Sequence, residues 1–199
     1  MAAADFCHSC EQGHKELSES DSASEFIRLL RQNWTYIYEG AFSQVIQENL
    51  IQWYQQWNKE FNAQHVYVNE PANRGAVFLL NYDGLFVAHN ITRVYALSTV
   101  DCICKDYSHI VCRSANSKVE LQDNSSGCIY KGDAFITDYA KAECHDRAFC
   151  FDNSTVTMFH GHLYDRGHKV IEAFNDACVH SYTDYHVNLH DRAMIVDGF

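Results

Sequence analysis

Cys7 and Cys10 are separated by two residues, and His8 between them or His14, four residues after Cys10, could join them. Zinc takes four tetrahedral N or S ligands, so this spacing supplies half a knuckle and a third candidate ligand, but no fourth. His160 and His162, with His168, form a second set. Alternate residues of a strand share a face, and Asp165 is near enough in sequence to orient an imidazole. Neither set completes a site, so no metal and no cofactor are assigned. Cys144 and His145 are adjacent, which on a strand would point them to opposite faces and argues against a nucleophile–base dyad. The nine glycines are scattered, with no G-x-S-x-G elbow and no phosphate-binding loop. Asp138, Asp146 and Asp152 are the remaining candidates, as carboxylates on neighbouring coils. The simpler reading makes each a turn residue bonding its own backbone. No catalytic residue is assigned, and a non-enzymatic protein is expected.

Composition narrows the partners. The 199-residue chain carries 15 Lys and Arg against 26 Asp and Glu, a formal charge of −11, with no basic cluster. Phosphate binding needs a basic face, so direct nucleic-acid binding and attachment to an anionic membrane are not expected. The N-terminus lacks a basic segment followed by an apolar one, and no apolar run reaches membrane-spanning length. A cytoplasmic protein is expected. Asn33, Asn90, Asn124 and Asn153 begin glycosylation triplets, read here as chance. Nine cysteines at irregular spacing, among them Cys102, Cys104, Cys112, Cys150 and Cys178, read as reduced thiols used as small apolar residues.

Residues 1–64 read as a helical segment. Ser22 with Glu25 marks a capped helix start. A second helical pattern runs from about Phe42 to Phe61, with Val45, Leu50, Trp53, Trp57 and Phe61 on one face. Residues 65–97 read as a β transition. It opens at a loop holding Pro71, the one proline of the chain, and contains apolar runs at 75–80 and 85–88 around a turn at Tyr82, Asp83 and Gly84.

From residue 98 to 199 a unit recurs: usually Asp, Asn or Gly, then usually a small residue two positions later, then an apolar residue two further. Units start at Asp106, Ala115, Asp123, Gly132, Asp138, Asp146, Asp152, Asp165, Asn175, Asp184 and Asp191, about every eight residues. Asp and Asn tolerate turn conformations. A small residue past the turn lets the chain enter a narrow interior, and the apolar residue points inward on a strand. One unit cannot bury its own apolar side, but stacked coils can. Two units give a rung of about sixteen residues, and the segment holds on the order of six rungs. The expected fold is therefore mainly β: a single-chain parallel β-solenoid (β-helix) with an N-terminal α-helical cap. An antiparallel sandwich is the alternative. The number of sides stays open. The spacing stretches at 160–163, and Lys169, His186 and Asn188 place polar residues where the pattern points inward.

This unit resembles the degenerate Asp-x-Ala/Ser-x-Val β-solenoid repeats of bacterial and phage proteins, over about residues 98–199. The resemblance implies a fold and carries no catalytic motif. Three functions follow as expectations. The first is a binding protein of a bacterium or phage whose acidic, Tyr-rich solenoid face recognises another protein. In a sharper form it inhibits a nucleic-acid-binding defence protein by imitating nucleic-acid charge, which requires the carboxylates to lie along one face. The candidate face comprises Asp106, Asp123, Tyr130, Asp138, Tyr139, Asp146, Asp152, Tyr164, Asp165, Asp184, Tyr185 and Asp191. The second is a carbohydrate-active enzyme with two acids at glycosidase separation. The third is a self-assembling virion or fibre component.

Overall fold

The computed structural model describes residues 15–16, 19–20, 22–32, 44–167, 171–181 and 187–197. The chain divides into two units, Met1–Glu70 and Pro71–Phe199.

The first unit holds two helices, α1 (Ala23–Gln32) and α2 (Gln44–Ala63), and a short strand, β1 (Val66–Val68). The Glu25 N–H donates to the Ser22 hydroxyl at 3.2 Å, the capping bond the sequence predicts. The Glu25 carboxylate turns to the Arg28 guanidinium instead of closing the reciprocal half of the box. Phe26 packs edge-on against Trp53, with ring centres 4.4 Å apart. Leu50, Tyr54 and Phe61 are buried, whereas Trp53 and Trp57 are half-buried. Helix α2 is interrupted at Trp57.

The second unit is a parallel β-solenoid of about seven turns. Its strands alternate between two sheets, so the coil has two sides. Strands β2 (Arg74–Leu79), β4 (Ile91–Ala96), β6 (His109–Cys112), β8 (Ser126–Ile129), β10 (Lys141–Cys144), β12 (Thr155–Met158), β14 (Ile171–Ala173) and β16 (Val187–Leu189) pair in that order. Strands β3 (Leu85–Ala88), β5 (Asp101–Cys104), β7 (Lys118–Leu121), β9 (Asp133–Ile136), β11 (Arg147–Asp152), β13 (His162–Gly167), β15 (Cys178–Ser181) and β17 (Met194–Asp197) form the other ladder. A coil takes 14 to 17 residues: Lys141 lies opposite Thr155, and Arg74 opposite Ile91. The ladder begins at Arg74, inside the stretch the sequence marks as a transition.

The interior follows the alternation. Ile110, Val119, Ile136, Val156, Leu163 and Val179 are buried, as are Cys102, Cys104, Cys112, Cys144 and Cys150. Narrow coils suit cysteine as a small apolar side chain. Burial pushes the Cys150 thiol up to about 11, which keeps it protonated. Cys178 departs from the expectation. It is half-exposed on the outer side of β15, because Cys178 pairs with the outward His162.

The corners that lead from an odd-numbered strand to the next even-numbered one share one geometry. Asn90, Asp106, Asp123, Asp138 and Asp152 all adopt positive φ between 54° and 58°. Asx side chains tolerate that region better than other non-glycine residues. The turn closes when the residue two later donates back across it: Ser108 N–H to the Lys105 carbonyl at 3.1 Å, Ser125 to Gln122, Ala140 to Thr137 and Ser154 to Phe151. Those small residues are fully buried. The expected own-backbone bond is replaced by a bond between coils. The Asp106 carboxylate accepts the Asn90 N–H at 2.9 Å, Asp123 accepts that of Asp106 at 3.2 Å, and Asp138 accepts that of Asp123 at 3.1 Å. Asp152 approaches the Asp138 N–H at 3.5 Å. Each corner carboxylate thus satisfies an amide of the coil before it.

The opposite corners, from even-numbered to odd-numbered strands, are more varied. Asn116, Asn175 and Asp191 take positive φ there, as do Gly132 and Gly161. The unit at Ala115 therefore turns one residue later than expected, at Asn116. A Cβ on Gly161 would sit 1.9 Å from the Asp146 carbonyl oxygen, so glycine is what lets the coil tighten where the repeat spacing stretches. Among the described repeat units, one is not a corner. Asp165 lies within β13, which extends to Gly167 opposite Asp152. Asn188 faces outward and donates to Glu172 at 2.7 Å, while Val187 and Leu189 occupy the inward positions.

The corner bond can be tested by substitution. Asp123→Ala removes both the tolerance for positive φ and the acceptor for Asp106, and should cost about 1–2 kcal/mol in urea denaturation. Asp123→Asn keeps both and should stay within about 0.5 kcal/mol of the parent. Equal losses in the two variants would contradict this account of the corner.

Candidate functional site

The candidate face does not form one surface. Asp106, Asp123, Asp138, Asp152 and Tyr139 lie on the edge made by the odd-to-even corners. Asp146, Asp191 and Tyr130 lie on the opposite edge, and Tyr164 is on the outer side of the odd-numbered sheet. Asp165 is inside the coil, only 4% exposed, and its carboxylate accepts the Ser181 hydroxyl at 2.8 Å. Its inward position is the reason: it stands opposite Cys150 and Ser181, both interior residues. Asp184 and Tyr185 fall outside the described residues.

The first edge carries a line of carboxylates, one per coil. Asp123, Asp138 and Asp152 are exposed and Asp106 half-exposed. Adjacent strands lie about 4.8 Å apart, which sets the pitch of the line. Beside it the residue after each Asx forms a second column, Ile91, Tyr107, Asn124, Tyr139 and Asn153 in turn, with Tyr107 71% and Tyr139 61% exposed. The triplets at Asn90, Asn124 and Asn153 fall on this edge because the corner repeat itself writes Asn beside Ser or Thr.

On the opposite edge, the residue following each even-numbered strand from β6 onward builds a stack of flat groups. The Arg113 guanidinium lies 4.0 Å from the Tyr130 ring centre. Tyr130 stacks on His145, His145 on Phe159, Phe159 on Phe174 and Phe174 on His190, at 4.3 to 5.5 Å. A second stack on the outer side of the odd-numbered sheet joins Phe135, Phe149, Tyr164 and His180 at 4.7 to 4.9 Å. Sequence reading missed both stacks. Their signal was present: an aromatic or His recurring once per coil at a fixed offset from the strand.

The metal candidates separate. Cys7, His8, Cys10, His14 and His168 fall outside the described residues. His160 sits at the edge, with Nδ1 2.5 Å from Asp176 Oδ1, whereas His162 lies on the sheet, with Nδ1 3.1 Å from His180 Nε2. Strand β13 begins at His162, so the two histidines do not share a strand face. Asp165, buried inside, does not orient either of them. Among the described residues no three His, Cys, Asp or Glu side chains are grouped to hold a metal ion. Asp138 and Asp152 stack on adjacent coils as expected, but Asp146 is on the opposite edge. Cys144 points inward and His145 joins the stack, so they face apart.

Beside the second edge, the outer side of the odd-numbered sheet bears an open groove of about 520 Å³. Asn116, Lys118, Asp133, Asp146, Arg147 and His162 line it, with the backbone of Gly132. Arg147 grips Asp133 through two bonds, Nε to Oδ1 at 2.6 Å and Nη2 to Oδ2 at 2.5 Å. Asp146 accepts the Gly132 N–H at 3.0 Å.

No protein-family model, curated protein or solved structure matches the chain. Among the described residues no helix is long and apolar enough to cross a membrane.

Among the described residues three histidines are held below the ordinary imidazole range. Burial is the first cause for His109, followed by the Arg93 charge. Burial and then His160 act on His145, and burial and then His162 act on His180. A depressed folded-state value favours the neutral ring, so the native state gains nothing extra above about pH 6.5 and loses stability as the pH falls through the folded values. The melting temperature should therefore drop on the order of a few degrees between pH 7.5 and pH 5. His145→Phe, which continues the stack with the residue type found at Phe159, should narrow that drop. A melting temperature that is unchanged or raised at pH 5 would contradict the assignment.

Proposed function

We propose that the solenoid is a non-enzymatic binding scaffold that recognises a basic protein surface through its Asp edge. The observation that carries this reading is the line of four carboxylates at Asp106, Asp123, Asp138 and Asp152, flanked by the exposed rings of Tyr107 and Tyr139. The fold needs an Asx residue at these corners, but it does not need the charge. Asn90 and Asn175 occupy positive-φ corners of the same chain. An Asn side chain also offers the acceptor that the neighbouring amide requires. Like charges aligned on adjacent strands repel, so four consecutive aspartates are a cost the coil could avoid. Exposed tyrosines beside the line add the contact area typical of recognition surfaces.

The charge-imitation form of this reading is narrowed. The candidate carboxylates are divided between two edges and the interior, and one short line remains. Its pitch of about 4.8 Å is wider than the roughly 3.4 Å axial charge spacing of one DNA strand. The edge therefore fits a basic strip on a protein better than a full duplex-binding channel. A capping role for the N-terminal helices belongs to the same proposal: an uncovered first coil would leave strand edges and apolar interior exposed.

The test replaces Asp106, Asp123, Asp138 and Asp152 together by Asn, which removes four charges and keeps the corners. Binding to a Lys/Arg-rich peptide panel is then measured at low and high ionic strength. The parent should bind in a salt-sensitive manner, and the fourfold variant, with an unchanged circular dichroism spectrum, should bind on the order of tenfold more weakly. Equal binding by parent and variant would remove the Asp edge from the function.

A further inference from the structure

We propose a second binding site on this chain: the groove on the outer side of the odd-numbered sheet holds a neutral, linear oligosaccharide lying along the solenoid axis. The register places Lys118, Asp133, Arg147 and His162 opposite one another on four successive strands. One polar side chain is therefore offered per coil, at the roughly 4.8 Å strand spacing. That step is close to the length of one sugar unit in an extended glycan. A repeating ligand can thus meet a repeating wall, each unit facing one rung.

The chemistry of the wall selects the ligand. Lys118 and Arg147 are balanced by Asp133 and Asp146, so the groove is formally neutral within a chain of charge −11. This balance favours neither a phosphate chain nor a basic peptide. Hydroxyl groups, which donate and accept, match mixed donors and acceptors. The Arg147–Asp133 pair fixes a planar guanidinium and a planar carboxylate side by side, an arrangement that can engage adjacent hydroxyls in a forked manner. Lys118 forms no ion pair among the described residues, and its ammonium is left available. The floor at Gly132 has no side chain because a Cβ there would lie 2.6 Å from the Ser117 carbonyl oxygen. Close coil packing thus leaves bare backbone beneath the ligand. The volume, about 520 Å³, lies in the range of small-molecule sites, about 300–1,000 Å³.

The site is separate from the Asp edge, and so is its test. Purified full-length chain is titrated calorimetrically with cellohexaose, maltohexaose and chitohexaose, and with inorganic polyphosphate and a heparin hexasaccharide as anionic probes. At least one neutral hexasaccharide should bind. Lys118→Ala and Arg147→Gln, each checked by circular dichroism, should weaken it on the order of tenfold, while Asp123→Asn should not alter it. The proposal is overturned if no neutral hexasaccharide binds, if only the anionic probes bind, or if both groove variants bind like the parent. Loss of sugar binding in Asp123→Asn would also overturn the placement of the site.

Discussion

The coil depends on one interaction, seen on four successive turns: a corner carboxylate accepts the backbone N–H of the corner residue on the turn before. A parallel ladder satisfies strand amides automatically, but the corners between strands have no such ladder. In this chain the problem is met at Asn90, Asp106, Asp123 and Asp138, whose amides point to Asp106, Asp123, Asp138 and Asp152 in turn. Because the acceptor sits on the next coil, the bond fixes the register between coils as well as the shape of the turn. Positive φ at the same residue turns the chain sharply enough for the small residue two positions later to enter the interior.

That constraint shapes the inside of the solenoid. Two sheets joined by such short corners leave room for a narrow core, which explains the reliance on Ala, Ser and Cys beside Val, Ile and Leu. Two of the buried serines that follow the corners close back on them through their hydroxyls, Ser108 on the Lys105 carbonyl at 2.7 Å and Ser154 on that of Phe151 at 2.6 Å. The interior becomes polar at Asp165 and Ser181, where the two side chains bond each other. A buried carboxylate costs free energy unless it is hydrogen-bonded, and this pairing supplies a partner.

The same stacking makes every outward position a ladder. A residue type placed once per coil becomes a column, whether of carboxylates on one edge, rings on the other, or alternating charges along the odd-numbered sheet. Columns of rings join neighbouring coils through face contacts, which stabilise without needing a core. Columns of charge do the reverse: the Asp edge repels itself, while the Lys118–Asp133–Arg147 column alternates in sign. The two surfaces therefore carry different chemistry, a line of like charges on one and balanced charges on the other.

By itself the sequence determined the coil, because corner chemistry is local. An Asx residue, a small residue two later and an apolar residue beyond are sufficient to mark a turn and the strand it feeds, and the strands after Asp106, Asp123, Asp138 and Asp152 follow that pattern. The capped start of α1 at Ser22 was legible for the same reason. Tertiary structure decided which columns face each other. Coil length varies between 14 and 17 residues, so a shift of one residue moves a side chain from the surface to the interior. This is why Asp165, a surface candidate by its repeat position, is buried, and why Asp146 and Asp152, six residues apart, stand on opposite edges. The ring stacks and the groove are made by residues about fifteen apart in sequence. They became visible only when the register placed those residues on adjacent rungs.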